Sequence, residues 1–215
     1  MTVLTTTRSA RRTPAERARD LALVATFAAL TAVCALTSVA FSAVPVPVTL
    51  QTFAVLLAGA VLGPWRGTAA VGLYLAVGAA GLPVFAGGTG GLAAFVGPSG
   101  GYLLAFPLAA LVVGLAVRAA GPRRAPGTSV AVAVGVLVAT GVTYAVGVPV
   151  LAARTAMDLG AAWTFNWAFV PFDLVKAGLV VVAAPAELRA FPALRGGRAR
   201  RPRAAGAPQA EAAAA

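Results

Sequence analysis

The chain has 215 residues, of which 60% are hydrophobic and only 11% are charged. Because a soluble domain carries roughly 25% charged residues, so much apolar surface cannot be hidden in one aqueous core, and the composition predicts a membrane protein with about five to seven spanning helices. The net charge is +11, and the arginines that carry it lie beside apolar runs. A nucleic-acid-binding protein would instead present them on a polar surface interspersed with aromatic residues, so this class is disfavoured.

Two residue types restrict the chemistry further. The chain has no histidine and a single cysteine, Cys34. A disulfide within the chain and a multi-cysteine metal site are therefore excluded, as are His-based catalysis and most zinc or haem chemistry. No metal site is predicted. A secretory signal peptide is not predicted either, because the first apolar run has no cleavage site and further apolar runs follow it.

In chain order, a basic leader is followed by six apolar segments and a basic tail. Residues 1–20 predict a cytoplasmic leader, residues 21–190 one transmembrane domain, and residues 191–215 a disordered cytoplasmic tail. The predicted fold class is an all-α integral membrane bundle of six helices. These helices are expected near residues 21–41, 50–63, 68–82, 101–118, 129–152 and 167–188.

The placement of arginine predicts that both termini face the cytoplasm. With the N-terminus inside, 15 of the 16 arginines fall in cytoplasmic segments, and only Arg154 falls in an outer loop. This asymmetry is the one that the positive-inside rule describes. A count of five or seven spans would remove this asymmetry of arginine between the two sides of the membrane.

Two proline- and glycine-rich stretches, 42–51 and 81–102, fall on the outer side. They are apolar, and irregular backbone at membrane depth survives only where protein buries it or a cavity wets it. We expect them to form the walls or lid of an outward-facing pocket; plain surface loops are the alternative. The GGTGG run at 87–91 lacks the Gly-Lys-Ser/Thr ending of a phosphate-binding loop, so nucleotide binding is not predicted.

Asp173 and Lys176 are the most informative residues, because they lie in the last apolar run. A charge near the bilayer centre costs roughly 2.5–3.5 kcal/mol on insertion scales, and a spacing of three places both on one helix face. One interpretation is that they line a cavity and bind a polar ligand. A mutual ion pair that locks the helix, or a proton relay, are alternatives. Trp163, Phe165 and Trp167 predict an interfacial aromatic belt, with lining of the pocket as the alternative, while the role of Asn166 stays open.

Three runs resemble the BioY family, the biotin-specific substrate-binding S component of energy-coupling-factor (ECF) transporters. They are VPVTLQTFAVLLAGAVLGPWRG (45–67), GLPVFAGGTGGLAAFVGPSGGYLLAFPLAALVVG (81–114) and PFDLVKA (171–177). The resemblance covers roughly residues 20–190. It implies the six-helix S-component bundle with biotin bound near the outer surface.

The resemblance also implies a binding site. Asp173 would accept hydrogen bonds from the ureido N–H groups of biotin, and Lys176 would lie toward the valerate carboxylate. The glycines would let the backbone close over the ligand, and the two aromatic residues would contact its rings. The implied substrate-binding residues are Asp173, Lys176, Phe85, Gly87, Gly88, Gly90, Gly91, Tyr102 and Gln51. Two departures stand out: Ala86 begins the place where some relatives carry an asparagine, and Phe172, in place of glycine, is expected to narrow the pocket.

The partners implied by the resemblance are a transmembrane coupling protein and two ABC-type ATPase subunits, in a bacterial plasma membrane. Small residues on the first helix would dock the coupling protein, in the register Ala25–Ala29 or Ala28–Ala32. No cofactor is implied, and biotin is the transported substrate. The resulting hypothesis is a high-affinity biotin-binding subunit whose import is driven by its partners. A stand-alone secondary carrier for biotin or a similar carboxylated metabolite is the alternative; an intramembrane enzyme and a ligand-free structural subunit are disfavoured.

Overall fold

A computed structural model describes residues 13–39, 46–121 and 125–190 of the chain. Within these ranges the chain is helical, apart from one two-stranded hairpin and short turns. Among the described residues, five helices are long and apolar enough to cross a membrane. Most of the predicted leader and the whole predicted tail lie outside the described residues.

Helix α1 (Pro14–Leu36) begins earlier and ends earlier than the predicted segment 21–41, so both predicted boundaries are wrong. Its start is set by a capping box that the hydropathy pattern does not show. The Thr13 hydroxyl accepts from the backbone N–H of Glu16 at 3.2 Å, and the Glu16 carboxylate accepts from that of Thr13 at 2.8 Å. After α1, strand β1 (Ser38–Val39) pairs antiparallel with β2 (Val48–Thr49).

Helix α2 (Gln51–Ala79) folds back on itself at Gly63, where φ is +78°. Glycine adopts this backbone conformation without steric cost, and Pro64 cannot continue the preceding helix. The Gln51 side chain lies 2.8 Å from the Tyr74 hydroxyl, although it is 23 residues away along the chain. In a straight helix that separation would be about 35 Å. The two arms of α2, residues 51–62 and 64–79, therefore lie side by side, in agreement with the two short segments predicted at 50–63 and 68–82.

The remaining helices follow the predicted order. The 81–92 loop contains a short 3-10 turn, Ala86–Gly88, and leads to the one-turn helix α3 (Ala93–Val96). Next come α4 (Gly100–Ala120) and α5 (Ala125–Thr155). Helix α6 (Leu159–Asn166) and a 3-10 turn, Trp167–Phe169, lead into α7 (Val170–Ala190). The sixth predicted segment, 167–188, thus includes this turn as well as most of α7.

Helix α2 is the most buried of the five long helices, and α1, α4 and α7 pack around it while α5 packs against α4 and α7. The backbones of α2 and α4 touch where Gly59 faces Ala110 and where Gly114 faces Pro64. We call the end of the bundle that contains the Gly63 turn the closed end. There, Asp20 near the start of α1 forms an ion pair with Arg66 at 3.0 Å. The opposite end, where α2, α4 and α7 begin, is called the cavity end.

Candidate functional site

A cavity of about 280 Å³ opens at the cavity end. Its volume lies just below the roughly 300–1,000 Å³ range of small-molecule sites. The β-hairpin, the start of α2, the 81–92 loop, α4, α5 and α7 all contribute to its wall. The polar residues of the wall are Thr49, Gln51, Thr52, Thr89, Ser99, Tyr102, Thr143, Tyr144, Asp173 and Lys176.

The charged pair forms one side of this cavity. Lys176, only 5% exposed, donates from Nζ to Asp173 Oδ1 at 2.8 Å, and weakly to Thr52 Oγ1 at 3.5 Å. Tyr144 on α5 donates to Asp173 Oδ2 at 2.6 Å. The mutual ion pair considered as an alternative is therefore present, but it lies at the surface of a cavity and not in a closed interior. Each carboxylate oxygen keeps a second lone-pair site, and the ammonium group has a third N–H, so the pair can still bind a ligand.

Gln51 lies on a second side of the cavity and is 4% exposed. Its Nε2 donates to the Tyr74 hydroxyl at 2.8 Å, and that hydroxyl donates to the backbone oxygen of Val84 at 3.3 Å. The first arm of α2, its second arm and the 81–92 loop are thus joined by two consecutive hydrogen bonds.

Two aromatic residues that the resemblance assigned to the ligand also line the cavity. The Phe85 ring packs edge-on against Tyr74 and Phe95, with ring centroids 5.4 and 5.5 Å apart. It lies directly against Gly78, where a Cβ atom would collide with it. Tyr102 donates its hydroxyl to Asn166 Oδ1 at 2.9 Å. The role of Asn166 left open by the sequence is therefore that of a buried partner for Tyr102.

Four of the five glycines in the 81–92 loop, the four that the resemblance assigned to the ligand, shape the loop, while the loop residues that line the cavity are Phe85, Ala86 and Thr89. Three of the glycines have φ between +70° and +85°, a conformation that favours glycine. The fourth lies against the backbone oxygen of Leu82, without room for a Cβ atom. In chain order, they are Gly87, Gly88, Gly90 and Gly91.

Sequence reasoning missed two residues of the cavity wall that contact the charged pair, Tyr144 and Thr52. A signal for Tyr144 existed, since it is the only tyrosine within the predicted segment 129–152 and polar groups inside spanning helices usually serve a function. The expectation for Phe172 is wrong: its side chain is 43% exposed and lies outside the cavity wall, so it does not narrow the pocket.

Comparison with known proteins gives a consistent result. Residues 5–193 match the model of the BioY family. The chain is 36% identical over 180 residues to the biotin transporter BioY of Rhizobium etli, covering 82% of this chain and 96% of that one. It is 46% identical over 99 residues to a probable biotin transporter BioY of Pyrococcus horikoshii, covering 46% of this chain and 60% of that one. For the biotin transporter BioY of Rhodobacter capsulatus, the identity is 42% over 99 residues, and the match spans 46% of this chain and 52% of that one.

Among solved structures, the crystal structure of the S-component for biotin from an ECF-type ABC transporter superposes with a TM-score of 0.74 and 31% identity. The superposition covers 84% of this chain and 95% of that chain. The all-helical arrangement described above is therefore that of an ECF S component.

Proposed function

Since the chain belongs to the BioY family, we propose that it is the biotin-binding subunit of an ECF-type vitamin transporter, which captures biotin outside the cell for import driven by ATPase partners. The chain is a multi-pass membrane protein of a transporter family and not an enzyme. The observation that carries the proposal is the Asp173–Lys176 pair in the wall of a cavity at one end of the bundle.

The chemistry of the wall matches the functional groups of biotin. Asp173 accepts from a ureido N–H group, because a carboxylate only accepts and its oxygens still have lone pairs available. Lys176 uses its remaining N–H for the valerate carboxylate, as a charge-assisted hydrogen bond. Phe85 and Tyr102 pack against the fused rings. The 81–92 loop, given its curvature by Gly87, Gly88, Gly90 and Gly91, closes over the ligand.

We further propose six crossings with both termini in the cytoplasm. The fold-back of α2 at Gly63 supports the number, because it makes two antiparallel segments from one of the five long helices. The orientation is supported by the closed end, where arginines lie beside each chain reversal or helix end. Arg17 and Arg19 are near the start of α1, Arg66 follows the α2 turn, and Arg118 is in the last turn of α4. Arginine concentrates on the cytoplasmic side, so the cavity end faces outward.

Docking of a coupling protein on α1 is proposed in the Ala25–Ala29 register. Both alanines are exposed on the bundle, whereas Ala28 is only 7% exposed and packs in the core. Close helix approach in lipid needs small residues on the accessible face. Replacing Ala25 or Ala29 by tryptophan should abolish co-purification with the coupling protein and its two ATPases, while biotin binding persists. Full co-purification of both variants would contradict this register.

The proposed function is tested by equilibrium binding of labelled biotin to the detergent-purified chain, with other vitamins as competitors. Saturable binding that only biotin and its close analogues displace is expected; absence of saturable biotin binding would contradict the proposal. The alternative, a stand-alone carrier, is separated by biotin uptake in a host without coupling-factor genes. Strong uptake there that survives ATP depletion would favour the carrier.

A further inference from the structure

The hydrogen bonds around Tyr74 fix the orientation of the Gln51 amide. A backbone carbonyl can only accept, and a tyrosine hydroxyl has a single proton. Because the Tyr74 hydroxyl donates its proton to the Val84 oxygen, it can only accept from Gln51. The group of Gln51 that faces Tyr74 must therefore be the NH₂, as the 2.8 Å contact from Nε2 has it.

The carbonyl oxygen of Gln51 is consequently directed elsewhere. Apart from the backbone hydrogen bonds within α2, Gln51 makes two hydrogen bonds with described residues, from its backbone N–H to Thr49 and from Nε2 to Tyr74, and neither uses Oε1. No fully buried side-chain oxygen or nitrogen of the described residues lacks a partner, so Oε1 must retain accessible surface. Gln51 is a residue of the cavity wall, and from this we infer that the cavity is the surface that Oε1 reaches.

We propose that Tyr74 is a positioning residue that holds Gln51 Oε1 toward the cavity, where it accepts the second ureido N–H of biotin. This inference rests on the proposed function, in which Asp173 accepts the first. The cavity then presents one acceptor to each of the two N–H groups. Tyr74 itself does not line the cavity and acts only through Gln51.

The position of Val84 makes the same hydroxyl important for the 81–92 loop. Val84 precedes Phe85, whose ring packs edge-on against the Tyr74 ring. Tyr74 is 2% exposed, so neither of its contacts is replaced by water. The placement of the loop and the orientation of the Gln51 amide group therefore depend on one tyrosine.

The test compares biotin with its two carbamate analogues, in each of which one ureido N–H is replaced by a ring oxygen. Binding of all three ligands to detergent-purified protein is measured by titration calorimetry, which also gives the active fraction. Wild-type protein should bind both analogues at least about tenfold more weakly than biotin, since each leaves a desolvated acceptor facing an oxygen.

In Tyr74→Phe the Gln51 amide can turn its NH₂ toward a ligand oxygen. The penalty of an analogue is the factor by which it binds more weakly than biotin. For one analogue this penalty should fall to about threefold or less, while the penalty for the other, which faces Asp173, should persist. Gln51→Leu should remove the same single penalty. Thr31→Val is the control, because it removes a buried hydroxyl that bonds within α1 and does not line the cavity, and it should leave both penalties at their wild-type values.

Three results overturn the inference: both penalties kept in Tyr74→Phe, both lost there, or a loss of the same penalty in Thr31→Val. If Tyr74→Phe does not yield folded protein, Gln51→Leu decides, and two retained penalties in that variant contradict the role of Oε1. Failure of the wild-type chain to bind biotin would instead contradict the proposed function.

Discussion

The two ends of the bundle are built on opposite principles. At the closed end, backbones touch directly, as where Gly59 meets Ala110, and the described charges lie near the surface. At the cavity end, Asp173 and Lys176 are mostly buried and surround an open volume together with other polar side chains. Close backbone packing in lipid favours stability, whereas buried charges cost free energy unless they are paired.

The difference implies a division of labour between the ends. The closed end fixes the relative positions of α1, α2 and α4, and at the cavity end this fixed arrangement holds polar groups apart around the cavity, where we propose that the ligand binds. Substitutions at the cavity end should therefore change biotin affinity more than stability. Substitutions at the closed end should do the reverse.

The largest effect on binding is expected for Asp173→Asn. The amide cannot accept with the strength of a carboxylate, and Lys176 loses its ion-pair partner. Since hydrogen bonds to charged groups contribute about 1.5–3 kcal/mol, the affinity for biotin should fall by roughly 100-fold. Titration calorimetry with biotin measures the change, and equal affinity in the variant would remove Asp173 from the ligand site.

A double variant, Asp173→Asn with Lys176→Met, separates binding from folding. It removes the buried ammonium group that the single substitution leaves unpaired, so thermal stability should recover toward that of the parent. Biotin affinity should stay low. Recovery of binding along with stability would mean that the ion pair has a structural role only.

A second, smaller effect is expected for Lys176→Ala, and it depends on the ligand. Loss of one charge-assisted hydrogen bond should lower the affinity for biotin by about tenfold. An analogue whose valerate carboxylate is amidated should change by less than about threefold, because it has no negative charge for the ammonium to meet. Competition binding with both ligands tests this, and equal losses would remove the carboxylate assignment.

The charged pair could be predicted from sequence for a physical reason: two ionisable residues inside an apolar run are costly, so their presence alone marks a site. The break in α2 was also predictable from the sequence, because Gly63-Pro64 separates two apolar segments that are each short for a full crossing. The family resemblance found in the sequence is confirmed, and with it the prediction that the chain is not an enzyme.

What the sequence did not provide are contacts between segments far apart in the chain. Tyr144 meets Asp173 from another helix, 29 positions away, and the orientation of Gln51 depends on Tyr74 and Val84. Hydropathy does not encode such pairs. The first apolar segment was started seven residues after the beginning of α1 for a different reason, because the capping box lies in the polar segment, where hydropathy gives no helix signal.

Gly78→Ala should disturb the cavity end without touching a polar group. The added methyl group would overlap the Phe85 ring, and the ring cannot move without shifting the 81–92 loop. The displaced loop no longer fits the ligand as closely, so biotin affinity should fall by about tenfold, which corresponds to about 1.4 kcal/mol of binding free energy. Gly72→Ala is the matched control on the same arm, since nothing lies within 4 Å of its added methyl group. Similar affinities in both variants would show that Phe85 does not place the loop.

Gly59→Ala tests the closed end and should have the smallest effect on binding. Its methyl group would overlap the Ala110 backbone, and because two backbones cannot rearrange as a side chain can, the helices must separate. Stability should fall by about 1–3 kcal/mol, measured by thermal unfolding in detergent against Gly72→Ala. Biotin affinity per folded molecule should stay within about twofold of the parent, since the α2–α4 contact bears no ligand group. A loss of affinity as large as that of Gly78→Ala would mean that the two ends are coupled, and that the spacing of α2 and α4 sets the shape of the cavity.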